Sequence, residues 1–306
     1  MIKHTILYLA ILVFGMVLPA AAQKTPQELL RQKTEEQLKA LLASSPAVTG
    51  LVAVDLTTGE RIVFNEDAVF PQASAIKIPI LMEVYQQANQ KKFSLSDTRA
   101  IKQADVVGGT GIIKDLAQPA SFSIRNLGIL MIALSDNTAT NSLIDLVKLE
   151  NINATLKSLG FTQTRVQRKM INAAASARGE ENISTPSEAA SILEMLYKGE
   201  FINKAVSGEI VAILRKTTRE TSRLAEGIPA HVSIAFKPGI LNGVSTEWAI
   251  VELQERPYAI AMMESYKVAE QAERVMEQAS AILYQYYWRL GNASRYGTYV
   301  DPELIK

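Results

Sequence analysis

Cysteine is absent and histidine nearly so: the 306 residues hold no Cys and two His. Without cysteine there is no disulfide, no thiolate nucleophile and no thiolate-bound metal, so the fold must be held by packing alone. One of the two histidines, His4, falls in the leader described below, which leaves His231 for the rest of the chain. A His-rich zinc site cannot be built from one imidazole, and neither a metal nor a cofactor is expected. A Ser-His-Asp triad would have to use His231, which follows Pro229 in a predicted turn leading into a strand. Any hydrolase here is therefore expected to activate its nucleophile with another group, and lysine is the obvious one. An excess of charge of one sign is lacking too, with 32 basic against 31 acidic residues. No Lys/Arg block could track a phosphate backbone, so nucleic acid is not an expected partner.

What is present begins with an export signal. Lys3 and His4 precede an apolar run from Ile6 to Leu18, and small residues end at Ala20-Ala21-Ala22, where cleavage is expected after Ala22. The run is shorter than the roughly 20 residues that span a bilayer, so no stable membrane span is expected after cleavage. The protein is expected to be exported, to a periplasm or beyond the cell.

The mature chain is nearly half apolar, enough for a real core. Residues 25–44 predict a helix capped by Thr25, with Pro26 in the first turn and a stripe of Leu29, Leu30, Leu38, Leu41 and Leu42. Leu51–Leu56 and Arg61–Phe64 read as a hairpin around Thr57-Thr58-Gly59-Glu60. From about Pro71 to Lys204 the period is mostly helical, with polar loops at 107–111 and 172–181. Strand character returns at 231–236, 247–253 and 258–263, followed by a long helix closed by Gly291. The expected fold is α/β (α+β) and two-lobed: an antiparallel sheet built from both termini with flanking helices, plus an inserted all-helical lobe. Residues 23–68 and 205–291 would form the α/β lobe, 69–204 the helical lobe and 292–306 a polar tail, with a cleft between the lobes.

Three short motifs carry chemistry. Ser74 and Lys77 stand three apart at the start of a helical pattern, a spacing that lets hydroxyl and amine touch. A partly desolvated lysine can lose its proton near neutral pH and act as base. Ser-x-x-Lys arises by chance about once in a chain of this length, so two further motifs are needed to lift it above a capped helix with a surface lysine. In Ser135-Asp136-Asn137 a second hydroxyl could relay a proton and an amide could hold a substrate amide; the plain alternative is a turn and helix cap. In Lys237-Pro238-Gly239 a lysine could attract a carboxylate and the glycine could let a ligand approach the backbone; the alternative is a strand ending in a turn.

In this order the motifs resemble the class A β-lactamases and their penicillin-binding relatives, along nearly all of the mature chain. Gly109-Thr110-Gly111-Ile112-Ile113, Ser184-Thr185-Pro186 and residues 224–229 look like further family segments. The resemblance implies that Ser74 is the acylated nucleophile, Lys77 its base partner, Ser135 the proton relay and Asn137 the substrate-amide anchor. It also implies that Lys237 faces a substrate carboxylate, that Gly239 belongs to the binding strand, and that the N–H groups of Ser74 and Ile240 hold the oxyanion. Arg223 is a further carboxylate candidate, or else a solvated helix charge.

Two positions depart from that family. Met170 falls near the position where hydrolytic members carry the glutamate that activates the deacylating water. Glu180 and Glu181, later in the same loop, are the possible replacements. Pro238 stands where the family usually has a hydroxyl, removes a donor at the carboxylate end and suits an edge strand. A long-lived acyl-enzyme follows. Three readings stay open: a β-lactam hydrolase with an unusual deacylation route, a cell-wall-type peptidase or esterase acting on a peptidoglycan-peptide-like substrate, and a binder of acyl ligands without turnover.

Overall fold

The computed structural model describes residues 24–266 and 268–299, so the expected leader and residues 300–306 lie outside the described residues. Helix α1 (Pro26–Ser44) opens with a capping box: the Thr25 hydroxyl accepts from Glu28 N–H, and the Glu28 carboxylate accepts from Thr25 N–H at 2.6 Å. Leu38 is its buried anchor, while Leu29, expected in the apolar stripe, faces solvent.

The hairpin forms as the period-2 pattern demands, from β1 (Val48–Asp55) and β2 (Arg61–Phe64). A short β3 (Phe70–Pro71) follows, then a 3₁₀ turn at Ala73–Ile76 and helix α2 (Lys77–Asn89). The middle of the chain holds strands that helical periodicity did not reveal. Between the 107–111 loop's flanks, β4 (Thr98–Ile101) pairs with β5 (Ala120–Ser123), ahead of helices α3 (Ile124–Ala133), α4 (Asn137–Val147) and α5 (Leu149–Ser158). The expected polar loop after 172 contains helix α6 (Ala173–Ala177), because Asn172 caps it by accepting from Ala175 N–H. Strand β6 (Ile183–Ser184) then pairs with β3, and α7 (Pro186–Lys198), α8 (Lys204–Leu214) and α9 (Arg223–Glu226) lead back to the sheet.

The last three strands are β7 (Ile234–Leu241), β8 (Val244–Val251) and β9 (Tyr258–Ser265), before helix α10 (Ala269–Asn292). All five strands of the main sheet are antiparallel, in the order β2-β1-β9-β8-β7, so the first and last strands of the sequence meet in full register from Val48↔Ser265 to Asp55↔Tyr258. β7 starts later than expected and runs on through Lys237-Pro238-Gly239, which therefore lies within a strand and not at its end. It is also the edge strand, the place where a proline costs the sheet no ladder bond on its open side.

The two sheet faces are buried differently. Leu51, Ala249, Ile260 and Met262 point back to α1 and α10, where Tyr258 stacks on Tyr287 at 4.3 Å. Val52, Trp248, Ala261 and Met263 point forward into one continuous apolar cluster with Leu81 of α2, Leu193 of α7 and Ile210 of α8. This is the two-lobed α/β arrangement, with α2 buried through the helical part and its N-terminus aimed at the edge strand. At the C-terminus α10 continues through Gly291, where an added Cβ would come within 2.9 Å of Glu255 Cβ. Part of the expected tail folds back as well: Ala293 bridges Tyr299, whose ring stacks on Trp288.

Candidate active site

A cleft of about 730 Å³ opens where α2, the α3–α4 corner, the 165–182 loop and β7 converge, and Ser74, Ser135, Asn137 and Lys237 line it. Ser74 reaches the floor on a tight turn. Ala73 holds φ at +45°, and Ala75 N–H closes the turn on Gln72 carbonyl at 2.9 Å. Gln72, which sequence reasoning passed over, is fully buried and fixes this turn. Its side chain donates to Phe70 carbonyl at 2.9 Å and accepts from Trp248 Nε1 at 2.8 Å, while its carbonyl accepts from Thr246 Oγ1. A lone glutamine among apolar neighbours carries no sequence signal for such a task.

Gly239 is the matching piece on β7. A Cβ there would lie 2.4 Å from Gln72 carbonyl oxygen and 2.8 Å from Ala75 nitrogen. The glycine thus admits the protein's own Ser74 turn and brings the edge strand against it.

Lys77, the first residue of α2, is buried. Its Nζ lies 2.7 Å from Ser135 carbonyl, 3.0 Å from Ser135 Oγ and 3.0 Å from Asn137 Oδ1. Ser74 Oγ is not among these hydrogen-bond partners, which all belong to the α3–α4 corner. Burial pushes the Lys77 amine well below its ordinary range, the nearby Lys237 charge adds to that, and Asp136 opposes it. The carbonyl of Ser135 and Oδ1 of Asn137 can only accept, and the Lys77 amine donates to Ser135 Oγ as well.

The corner itself is over-determined. Ser135 holds φ at +52°. Asp136 caps α4 through Ala139 N–H and also accepts from Ile112 and Ile113 N–H at 2.7 and 2.9 Å, which fastens the 107–113 loop. Gly111 is required there, because a Cβ would fall 2.3 Å from the Asp136 carboxylate. Asn137 donates to Gly108 carbonyl at 3.2 Å, which orients its Oδ1 toward Lys77. The capping reading of Ser135-Asp136-Asn137 holds in the fold, and Ser135 and Asn137 also lie against the Lys77 amine.

Lys237 is buried in the β7 wall, and burial brings its amine down to about 7 against the opposing pull of Glu247. Thr217, Thr218 and Thr221 line the cleft with it, and Thr217 Oγ1 is buried with no hydrogen-bond partner. Arg223 is placed elsewhere. It is not among the cleft-lining residues; its guanidinium donates to Glu226 in the same short helix and its N–H to the buried Glu247 carboxylate. Ile240 stands at the cleft mouth on the edge strand.

The loop wall is of another kind. Met170 is buried against the cleft, with its backbone held from both sides by the Asn141 side chain at 2.8 and 3.2 Å. Glu180 pairs with Arg178 outside the cleft lining, and that bond holds its carboxyl below the usual range. Glu181 does line the cleft, but one oxygen takes the Arg168 fork at 2.6 and 3.1 Å and the other accepts from Ser176 Oγ. So engaged, Glu181 holds the loop together. Among the described residues no His/Cys/Asp/Glu group is arranged to hold a metal, and no helix is long and apolar enough to cross a membrane.

The chain has counterparts among known proteins. A family profile described as the "Beta-lactamase enzyme family" matches residues 33–287. The β-lactamase CARB-3 of Pseudomonas aeruginosa is 24% identical over 268 residues, covering 86% of this chain and 92% of that protein. The β-lactamase SME-1 of Serratia marcescens is 22% identical over 258 residues, covering 82% and 87%. Among solved structures, a β-lactamase from Sphaerobacter thermophilus superposes with a TM-score of 0.74 at 25% identity, covering 83% of this chain and 96% of that one. The structure of PBP-A gives a TM-score of 0.75 at 24% identity, covering 83% and 95%.

Proposed function

Because the chain belongs to the beta-lactamase enzyme family, we propose that this serine hydrolase is acylated on Ser74 by β-lactam or D-Ala-D-Ala-like amides and releases a β-lactam acyl group slowly. The observation that carries this reading is the buried Lys77, whose Nζ donates to Ser135 carbonyl, Ser135 Oγ and Asn137 Oδ1.

Acylation follows from that arrangement. Ser74 Oγ attacks the amide carbon, and its proton passes to the Lys77 amine, directly or through Ser135. The oxyanion is stabilised by backbone N–H donors at the nucleophile turn and at Ile240 on the edge strand. The C–N bond then breaks, and the nitrogen takes its proton from the Ser135 hydroxyl, which Lys77 reprotonates. At the other end of the substrate Lys237 supplies positive charge for a carboxylate. Pro238 has no side-chain donor to add, whereas the unpartnered Thr217 hydroxyl in the same lining does.

Deacylation lacks the corresponding help. Met170 cannot accept a proton, Glu181 is engaged by Arg168 and Ser176, and Glu180 stands outside the cleft lining. Loss of a general base typically slows such a step by about 10² to 10⁴. A chromogenic cephalosporin mixed with the mature protein tests this: one equivalent of colour should appear in a burst, with a matching mass increase that Ser74→Ala abolishes. Sustained rapid turnover would overturn the slow release, and absence of any adduct would overturn Ser74 as the nucleophile toward β-lactams.

A further inference from the structure

Beneath the cleft one buried polar residue takes no part in the acylation steps above, yet its polar atoms are all engaged. Gln72 is fully buried, two residues before Ser74. Its N–H donates to Asn182 carbonyl at 2.7 Å and its Nε2 to Phe70 carbonyl at 2.9 Å, while its Oε1 accepts from Trp248 Nε1 at 2.8 Å. Its carbonyl accepts from Ala75 N–H at 2.9 Å and from Thr246 Oγ1 at 3.1 Å. Between Gln72 and Ser74 stands Ala73, with φ at +45°. Residues other than glycine seldom adopt that conformation, and it persists only where the surroundings over-determine it.

The partners of Gln72 lie on β8, the strand against which the edge strand is built. Trp248 stands opposite Lys237, and Thr246 opposite Gly239, in the β7–β8 register. Gly239 closes the circuit, since a Cβ there would lie 2.4 Å from Gln72 carbonyl oxygen and 2.8 Å from Thr246 Oγ1. One glutamine therefore fastens the Ser74 turn to the two rungs of the sheet that carry Lys237 and Gly239, and Ile240 is the next residue along the edge. An N–H donor stabilises an oxyanion only at about 2.7 to 3.1 Å from it. Two donors on separate elements therefore need something that holds those elements in register.

We propose that Gln72 is a positioning residue for acyl transfer: its bonds to Trp248 and Thr246 hold the Ser74 turn against β7, so that the N–H groups of Ser74 and Ile240 converge on one oxyanion. This rests on the reading of Ser74 as the acylated nucleophile, and Gln72 itself touches no reacting atom. Without this strut the turn and the strand both still form, but their relative placement is no longer fixed from below. A misplacement of about 1 Å at a reacting centre costs on the order of 10²-fold in rate.

The test reads the second-order rate of Ser74 adduct formation with benzylpenicillin, by mass. Gln72→Met keeps the length of the side chain but removes its hydrogen bonds, and should slow the adduct by about tenfold to 10²-fold. Calorimetric affinity of Ser74→Ala for the same penicillin should be little changed when Gln72→Met is added, because the oxyanion exists only after attack. Gln72→Met also leaves the Trp248 N–H buried and unpaired, so Gln72→Glu separates positioning from stability. A neutral carboxyl at that place reproduces both bonds, its hydroxyl donating to Phe70 carbonyl and its other oxygen accepting from Trp248, whereas a carboxylate cannot donate. The Gln72→Glu rate, relative to the unaltered protein, should recover toward one at low pH and fall as the carboxyl ionises. The side chains bonded to Gln72 are Trp248, Thr246 and Met263, none of which titrates, so that limb belongs to the introduced group. An unchanged rate in Gln72→Met, an equal loss of penicillin affinity, or a Gln72→Glu rate that recovers at no pH overturns the proposal.

A fluorophosphonate run in parallel keeps this proposal apart from the function it rests on. Ser74 Oγ would displace fluoride from phosphorus, with the phosphonyl oxygen in the same hole and no β-lactam to recognise. If penicillin leaves no adduct, the β-lactam reading fails, while slower phosphonylation in Gln72→Met still supports the strut. If penicillin reacts and Gln72→Met changes neither rate, the strut fails and acylation stands. Labelling of Ser74 by neither reagent overturns both.

Discussion

The two walls of the cleft teach different things. On one side Lys77, Ser135, Asp136 and Asn137 form a polar corner in which hydrogen bonds are made several times over, and even the strained φ of Ser135 is held by its neighbours. On the other side Met170 and Ile171 present hydrocarbon, backed by a loop whose charges are spent on each other in the Arg168–Glu181–Ser176 contacts. The first wall is equipped to move a proton between two hydroxyls and an amine. The second presents side chains, Met170 and Ile171, that cannot accept a proton, beside a glutamate already bonded to Arg168 and Ser176. Under the function proposed above, a serine hydrolase built this way loads Ser74 far more readily than it clears it.

That contrast can be broken at its strongest point first. Lys77→Met keeps an unbranched chain in the buried channel and removes the base, and should slow adduct formation by about 10² to 10⁴ while the protein stays folded. Adduct formation within a few-fold of the unaltered protein would show that the polar corner does not drive acylation.

Met170→Glu sharpens the comparison from the opposite side. It places a carboxylate on the dry wall, where Asn141 fixes the backbone, and should shorten the lifetime of the penicillin adduct by about 10²-fold with little change in its formation. An unchanged lifetime would mean that the missing group is not what limits release.

The smallest effect lies behind both walls, on the back of the sheet. Burial pushes the carboxyl of Glu247 up to about 7 and that of Glu264 up to about 8. Both groups bind protons more tightly folded than unfolded, so their contribution is full below the unfolded value of about 4.3 and is lost as pH rises toward 8. The melting temperature should therefore decline across that window, and Glu264→Gln should decline less steeply by a few degrees. Parallel curves for the two proteins would remove Glu264 from the pH response, with neither cleft wall affected.

Much of this was legible beforehand for identifiable reasons. The Thr25–Glu28 box, the hairpin from β1 to β2 and the apolar stripe of α10 are local patterns, and local patterns survive in the fold. The same holds for Pro238: a residue without an N–H must find an edge, and β7 is one. What misled was long-range. The 98–101 and 120–123 strands are short and pair only with each other, so their flanking helical periods mask them. Arg223 had the right separation from Lys237 along the chain, yet α9 directs its guanidinium to Glu226. Thr217, Ile171 and Gln72 acquire their places only through what lies across the cleft or beneath it.

The sequence by itself determined which chemistry is possible. With no cysteine and a single histidine outside the expected leader, the sequence favours a serine activated by a lysine, and Ser74, Lys77, Ser135 and Lys237 are the groups proposed for it. Which atoms those groups address was decided by the tertiary structure alone. Burial lowers the Lys77 amine below its ordinary range, and the α3–α4 corner brings it to Ser135. Spacing along a helix shows which residues share a face. The acceptors that occupy a buried amine come from elsewhere in the chain, and only the fold brings them there.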